Sequence, residues 1–111
     1  MTDKMLKFVN IGQQTPPKRD VDIRKEDFRE IYDEFINRKA QEQSSRCSQC
    51  GVPFCQVHCP LSNNIPDWLK LTAEGRLKEA YELSQSTNNM PEVCGRICPQ
   101  DRLCEGNCVI E

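Results

Sequence analysis

The chain has 111 residues, 37% of them hydrophobic and 6% aromatic, with a formal charge of −2 at neutral pH. That length allows one small domain, whose modest core needs reinforcement from outside its apolar side chains. The slightly acidic balance argues against a nucleic-acid partner, and no apolar run is long enough to span a membrane.

The start, Met1-Thr2-Asp3-Lys4-Met5-Leu6-Lys7-Phe8, has charges where a secretory signal would be apolar, so a cytoplasmic protein is expected. Residues 1–21 read as an extended N-terminal arm. Gln13 to Arg19 has no apolar period and holds Pro16 and Pro17. Residues 22–111 read as the domain itself. Its first helix is predicted on Phe28, Ile31, Tyr32, Phe35 and Ile36, one stripe at helical spacing that Ala40 extends. Glu26 and Asp27 suit its first turn, and Arg24, Lys25, Arg29, Asp33 and Lys39 would form its solvated face. The helix should end near Ser44-Ser45 and deliver the chain to Cys47.

A helical hairpin follows. Asn64 is the expected N-cap, with Pro66 in the first turn and Trp68, Leu69 and Leu71 behind it. Gly75 reads as the helix stop. The second arm, Arg76 to Ser84, carries Leu77, Ala80, Tyr81 and Ser84 on one face. Thr87-Asn88-Asn89 breaks it. Pro91 should open a short helix bearing Cys94 and Cys98, and Asp101 should cap another bearing Cys104. No run of β-branched alternation is long enough for a strand, so the class is all-α.

All eight cysteines fall in two blocks. The first is Cys47, Cys50, Cys55 and Cys59, spaced C-x2-C-x4-C-x3-C-P. The second is Cys94, Cys98, Cys104 and Cys108, spaced C-x3-C-P-x4-C-x3-C. Grouped thiols in a reducing compartment point to metal ligands. Two zinc sites would also use eight cysteines, but C-x4-C-x3-C lacks the separated close pairs of zinc ribbons. The spacing favours iron–sulfur clusters over zinc, and zinc over disulfides. A short loop reaches two or three corners of a cubane, and in two-cluster ferredoxins the cysteine before proline serves the other cluster. By that logic Cys47, Cys50, Cys55 and Cys108 hold cluster one. Cys59, Cys94, Cys98 and Cys104 hold cluster two, so Cys59 and Cys108 exchange blocks.

Arg46-Cys-Ser-Gln-Cys-Gly-Val-Pro-Phe-Cys-Gln-Val-His-Cys59-Pro60 resembles the N-terminal iron–sulfur domain of bacterial NADPH-dependent glutamate synthase small (β) subunits. So do Asn64-Ile-Pro-Asp-Trp-Leu-Lys70, Thr87-Asn-Asn-Met-Pro-Glu92 and the stretch from Cys94 to Cys108. The resemblance runs from about Ile23 onward, and more loosely over the arm. The same domain type occurs in dihydropyrimidine dehydrogenase. The resemblance implies an α-helical ferredoxin fold with two [4Fe–4S] clusters. It implies electron transfer from NADPH-reduced FAD toward FMN of a large (α) subunit that also carries an iron–sulfur cluster, for L-glutamate synthesis and ammonia assimilation. In relatives the fourth ligand of one cluster can come from a non-cysteine residue farther along the chain, so Cys94 is the ligand the resemblance supports least.

The five glycines form no G-x-G-x-x-G, so FAD- and NADPH-binding domains are expected beyond residue 111. No catalytic residue is expected within the chain. His58 reads as a surface or supporting residue, Trp68 as a core or interface anchor, and Arg96 and Arg102 as cluster-charge partners or surface ion pairs. Two other readings stay open. One is the same domain in another NADPH-dependent flavin oxidoreductase; the other is a zinc-stabilised interaction module.

Overall fold

Backbone donors in a short chain must find partners before side chains can pack. In this molecule the N-terminal segment finds several of them at the end of a helix and in the turn that follows it. The computed structural model describes residues 5–110, and the first four residues of the expected arm and Glu111 lie outside the described residues. The helices are α1 (Val21–Arg24), α2 (Asn37–Ser44), α3 (Phe54–His58), α4 (Ile65–Ala73), α5 (Leu77–Ser84) and α6 (Pro91–Ile97). Short 3-10 turns lie at Lys7–Val9, Gln100–Arg102 and Glu105–Asn107. Among the described residues there is no strand, only an isolated antiparallel bridge between Lys18 and Tyr32. The all-α class stands. Among those residues, too, no helix is long and apolar enough to cross a membrane.

The hairpin follows its sequence signals closely. Gly75 takes a left-handed φ of 80°. Its N–H reaches the Thr72 carbonyl at 3.0 Å, and the Arg76 N–H reaches the Leu71 carbonyl at 2.9 Å. These are the two bonds of a Schellman ending. α4 then folds back on α5 and also packs on α2. The small Ala73 and Ala80 are buried, which lets the helices approach closely. Asn63 latches the open end. It accepts the Trp68 indole N–H at 2.8 Å and donates to the Ser84 carbonyl at 2.7 Å. Details of the expectation fail here. Asn64 occupies the cap position, but its side chain donates to Asp67 at 2.8 Å instead of capping. Tyr81 is exposed, not part of a buried face. Asp101 lies inside the Gln100–Arg102 turn and caps nothing.

The largest correction concerns residues 25–36. The predicted helix on Phe28, Ile31, Tyr32, Phe35 and Ile36 does not form; only α1 and α2 flank that stretch, and Phe28 is fully exposed. Carboxylates capture the N–H groups that a helix would use. The Asp27 side chain accepts from the Arg29 N–H at 2.9 Å, and Glu30 accepts from the Ile31 N–H at 2.9 Å. Such local bonds compete directly with helix formation. The arm takes further groups. The Arg19 N–H donates to the Ile31 carbonyl at 2.8 Å, and the Asp33 N–H to the Pro17 carbonyl at 2.7 Å. Arg24 is half-buried rather than part of a helix's solvated face.

Arg19 clamps this segment with two bonds to the Asp27 carboxylate, at 2.7 and 3.1 Å. Those bonds, with help from the Arg29 N–H, hold the Asp27 carboxyl at about 2 instead of 3.8. A folded value below the unfolded one means that the pair stabilises the fold fully above pH 3.8 and is lost as pH falls through about 2. Side-chain NMR titration should therefore find Asp27 protonating near 2, and Arg19→Ala should return it toward 3.8. A value of 3.8 in the unaltered protein would remove the clamp from the structure.

From Leu6 to Gln14 the arm runs antiparallel to the end of α2 and the turn that follows it. The Lys7 N–H donates to the Ser45 carbonyl at 2.9 Å and the Leu6 N–H to the Cys47 carbonyl at 3.1 Å. Farther along, the Ile11 carbonyl accepts from Arg46 Nε at 2.8 Å, and the Gly12 carbonyl from Gln43 Nε2 at 3.1 Å. The Gln14 N–H closes the series on Gln43 Oε1 at 2.9 Å. Ser44 and Ser45, at the end of α2 and directly before Arg46-Cys47, are buried.

Candidate metal centre

α2 ends at Ser44 and the chain turns through Cys47-Ser48-Gln49-Cys50. Gln49 is in the left-handed region at φ 53°, uncommon for a residue with a side chain. The bend points its N–H at Cys47 Sγ, 3.4 Å away. Pro53 then opens α3, which carries Cys55, with the Pro53 carbonyl accepting from the Gln56 and Val57 N–H groups at 3.0 Å.

The two C-x3-C-P motifs fold alike. In each, the first cysteine lies within a helix (Cys55 in α3, Cys94 in α6) and the second is the residue that ends it. Cys59 has φ −73° and ψ 124°; Cys98 has φ −67° and ψ 127°. The following proline pushes its predecessor out of helical backbone into the extended region, which explains the shared ending. Cys98 therefore closes α6 instead of lying inside it.

Cys108 reaches the first block through the two C-terminal turns. Gln100–Arg102 packs on Glu105–Asn107, which in turn lies against α3. The result is a cavity of about 290 Å³ walled by Cys47, Cys50, Cys55, Cys104 and Cys108. Phe54, Ile65, Leu69, Val109 and Ile110 supply its apolar lining. The four cysteines expected for cluster one thus share one cavity, with Cys104 beside them. The second set is not gathered in the same way. Cys98 lines a separate hollow with Gly95, Arg96 and Gln100, while Cys59 and Cys94 line neither.

All eight cysteines are free and half-buried. Burial raises the Cys55 thiol, and neighbouring Cys47, Cys108 and Cys104 add to the effect while the Gln56 N–H opposes it. Burial likewise raises Cys104, with Glu105 and Cys98 adding to it and the Glu105 N–H opposing it. Burial of these two thiols opposes the thiolate form, so metal binding at Cys55 and Cys104 must displace their protons. Among the described residues no three His, Cys, Asp or Glu side chains lie close enough to hold one metal ion. The five cavity thiols surround a volume, which suits a group that takes ligands at several separate corners.

Other residues resolve simply. The exposed His58 bonds through Nδ1 to the Phe54 carbonyl of its own helix at 2.9 Å. Arg96 pairs with Glu30 across the surface. Gln49, Asn63 and Gly106 hold the site or its frame, and sequence reasoning missed all three. Gly106 alone carried a signal, as a glycine between Cys104 and Cys108.

Soft sulfur donors around an apolar-walled cavity are the chemistry of a thiolate-ligated metal-cluster domain. The family described as dihydropyrimidine dehydrogenase domain II, 4Fe-4S cluster, matches residues 24–111. The chain belongs to that family of 4Fe-4S domains. A glutamate synthase (NADPH) small chain of Azospirillum brasilense is 71% identical over 108 residues, covering 97% of this chain and 22% of the relative. The protein of that name in Escherichia coli (strain K12) is 51% identical over 110 residues, covering 99% and 23%. A protein of Escherichia coli (strain K12) named as an oxidoreductase is 49% identical over 96 residues, covering 86% and 15%. The chain thus spans about a fifth of the length of its glutamate synthase relatives.

Proposed function

We propose that the chain is the electron-transfer domain of an NADPH-dependent glutamate synthase small subunit, an oxidoreductase, and that it holds two [4Fe–4S] clusters. The observation that carries this reading is the placement of Cys108 in one cavity with Cys47, Cys50 and Cys55. Cys59, Cys94, Cys98 and Cys104 form the second ligand set, Cys94 with the least support. When bound, such clusters accept and release single electrons. The protein's part is to supply thiolates, exclude water with Ile65 and Leu69, and fix the sulfurs through backbone and side-chain donors.

In this reading residues 1–21 are a docking arm and residues 22–111 the cluster domain. FAD and NADPH bind elsewhere in the same subunit, and electrons pass toward FMN in a large subunit for L-glutamate synthesis. The high identity to two proteins of that name supports this route. The grouped free thiols suit the reducing cytoplasm.

Full-length protein purified without oxygen should contain about eight irons and eight sulfides per copy attributable to this domain, the content of two cubanes. The count is made by difference against a variant lacking all eight cysteines. Zinc without sulfide would overturn the proposal.

A further inference from the structure

Two side chains of the C-x2-C loop face ligand sulfurs without being ligands themselves. Gln49 reaches Cys47 Sγ twice, through its backbone N–H at 3.4 Å and its side-chain Nε2 at 3.3 Å. Nε2 also donates to the Pro66 carbonyl at 2.8 Å. Pro66 is buried in the first turn of α4, so that second bond fixes the amide in place beside the sulfur. Ser48 Oγ lies 3.0 Å from Cys50 Sγ. Once Cys50 is a thiolate, only the hydroxyl can donate in that pair. Three donors are therefore aimed at two neighbouring sulfurs, from a backbone bend that is itself strained at Gln49.

A hydrogen bond to a ligand sulfur stabilises the site more when an added electron increases the charge on that sulfur. Such donors consequently raise the reduction potential. We infer that Gln49 and Ser48 are positioning residues that set the electron affinity of the cluster held by Cys47 and Cys50. The inference rests on the cluster site proposed above. It makes α4 part of the tuning device, because the Pro66 carbonyl orients the Gln49 amide.

The test is an EPR-monitored redox titration of the full-length protein, prepared without oxygen. The signal belonging to this site is the one that Cys47→Ser abolishes. Gln49→Gly suits the left-handed backbone and keeps the main-chain donor, so it deletes the side-chain amide alone. Ser48→Ala deletes only the hydroxyl. Each variant should keep its iron and sulfide and shift that signal to lower potential. For Gln49→Gly the shift should approach a tenfold change in the reduction equilibrium, about 59 mV for one electron. Unmoved potentials in iron-replete variants would overturn this inference alone. Cluster loss in both variants would also overturn it, by making the two residues merely structural. An unaltered protein without iron and sulfide would overturn the cluster site itself, and this inference with it.

Discussion

Cys108→Ser is expected to abolish the same EPR signal as Cys47→Ser and to remove about half of the domain's iron and sulfide, one cubane of two. Two assignments of the ligands compete. If each block held its own cluster, Cys108 would serve with Cys94, Cys98 and Cys104. Cys108→Ser would then lose the signal that Cys98→Ser loses. The cavity favours exchange between blocks, because Cys108 shares it with Cys47, Cys50 and Cys55. Comparing the spectra of three reduced variants, at positions 47, 98 and 108, decides between the two. Matching losses at 98 and 108 would return Cys108 to its own block.

Gly106→Ala should be as damaging without touching a ligand. A methyl added at Gly106 would lie 2.2 Å from the Asp101 carbonyl oxygen and 3.0 Å from its carbon. Those atoms are backbone, so no side chain can swing aside. One of the two C-terminal turns must move, and between them they place Cys104 and Cys108. Overpacking of this kind costs about 1–3 kcal/mol, a large share of the stability of a small domain. We expect a lower denaturation midpoint and loss of the cluster that depends on Cys108. Gly95→Ala is the control: nothing lies within 4 Å of an added methyl there. In a helix that change should be neutral or stabilising by up to about 1 kcal/mol. Equal iron content in the Gly106 and Gly95 variants would show that the turns yield easily.

What could be read from the sequence, and what could not, follows from the range of the interactions. The α4–α5 hairpin was legible because proline at its start and glycine at its bend act within a few residues. The cysteine motifs were legible because proline after Cys59 and Cys98 imposes the same backbone on each. The stretch from Phe28 to Ile36 was misread. Its apolar spacing is helical, but Asp27 and Glu30 capture its N–H groups and Arg19, on the arm, holds Asp27. A periodicity argument contains no information about a partner on a distant segment. Gln49 and Asn63 were missed for a related reason. Neither residue type signals a role until Pro66, Trp68 and Ser84 are brought beside it.

The arm docks on the end of α2 and the turn after it chiefly through its own main chain, by the N–H groups of Leu6, Lys7 and Gln14 and the carbonyls of Ile11 and Gly12. A contact made this way is nearly blind to side-chain identity. Related sequences can therefore drift between Lys7 and Gln13 and keep the same seat, whereas Leu6, at a left-handed φ of 67°, and Gln14, whose Oε1 accepts from Lys39 Nζ at 2.9 Å, are more restricted. Proline at Leu6, Lys7 or Gln14 is the substitution that evolution has to avoid, since it alone removes the donor.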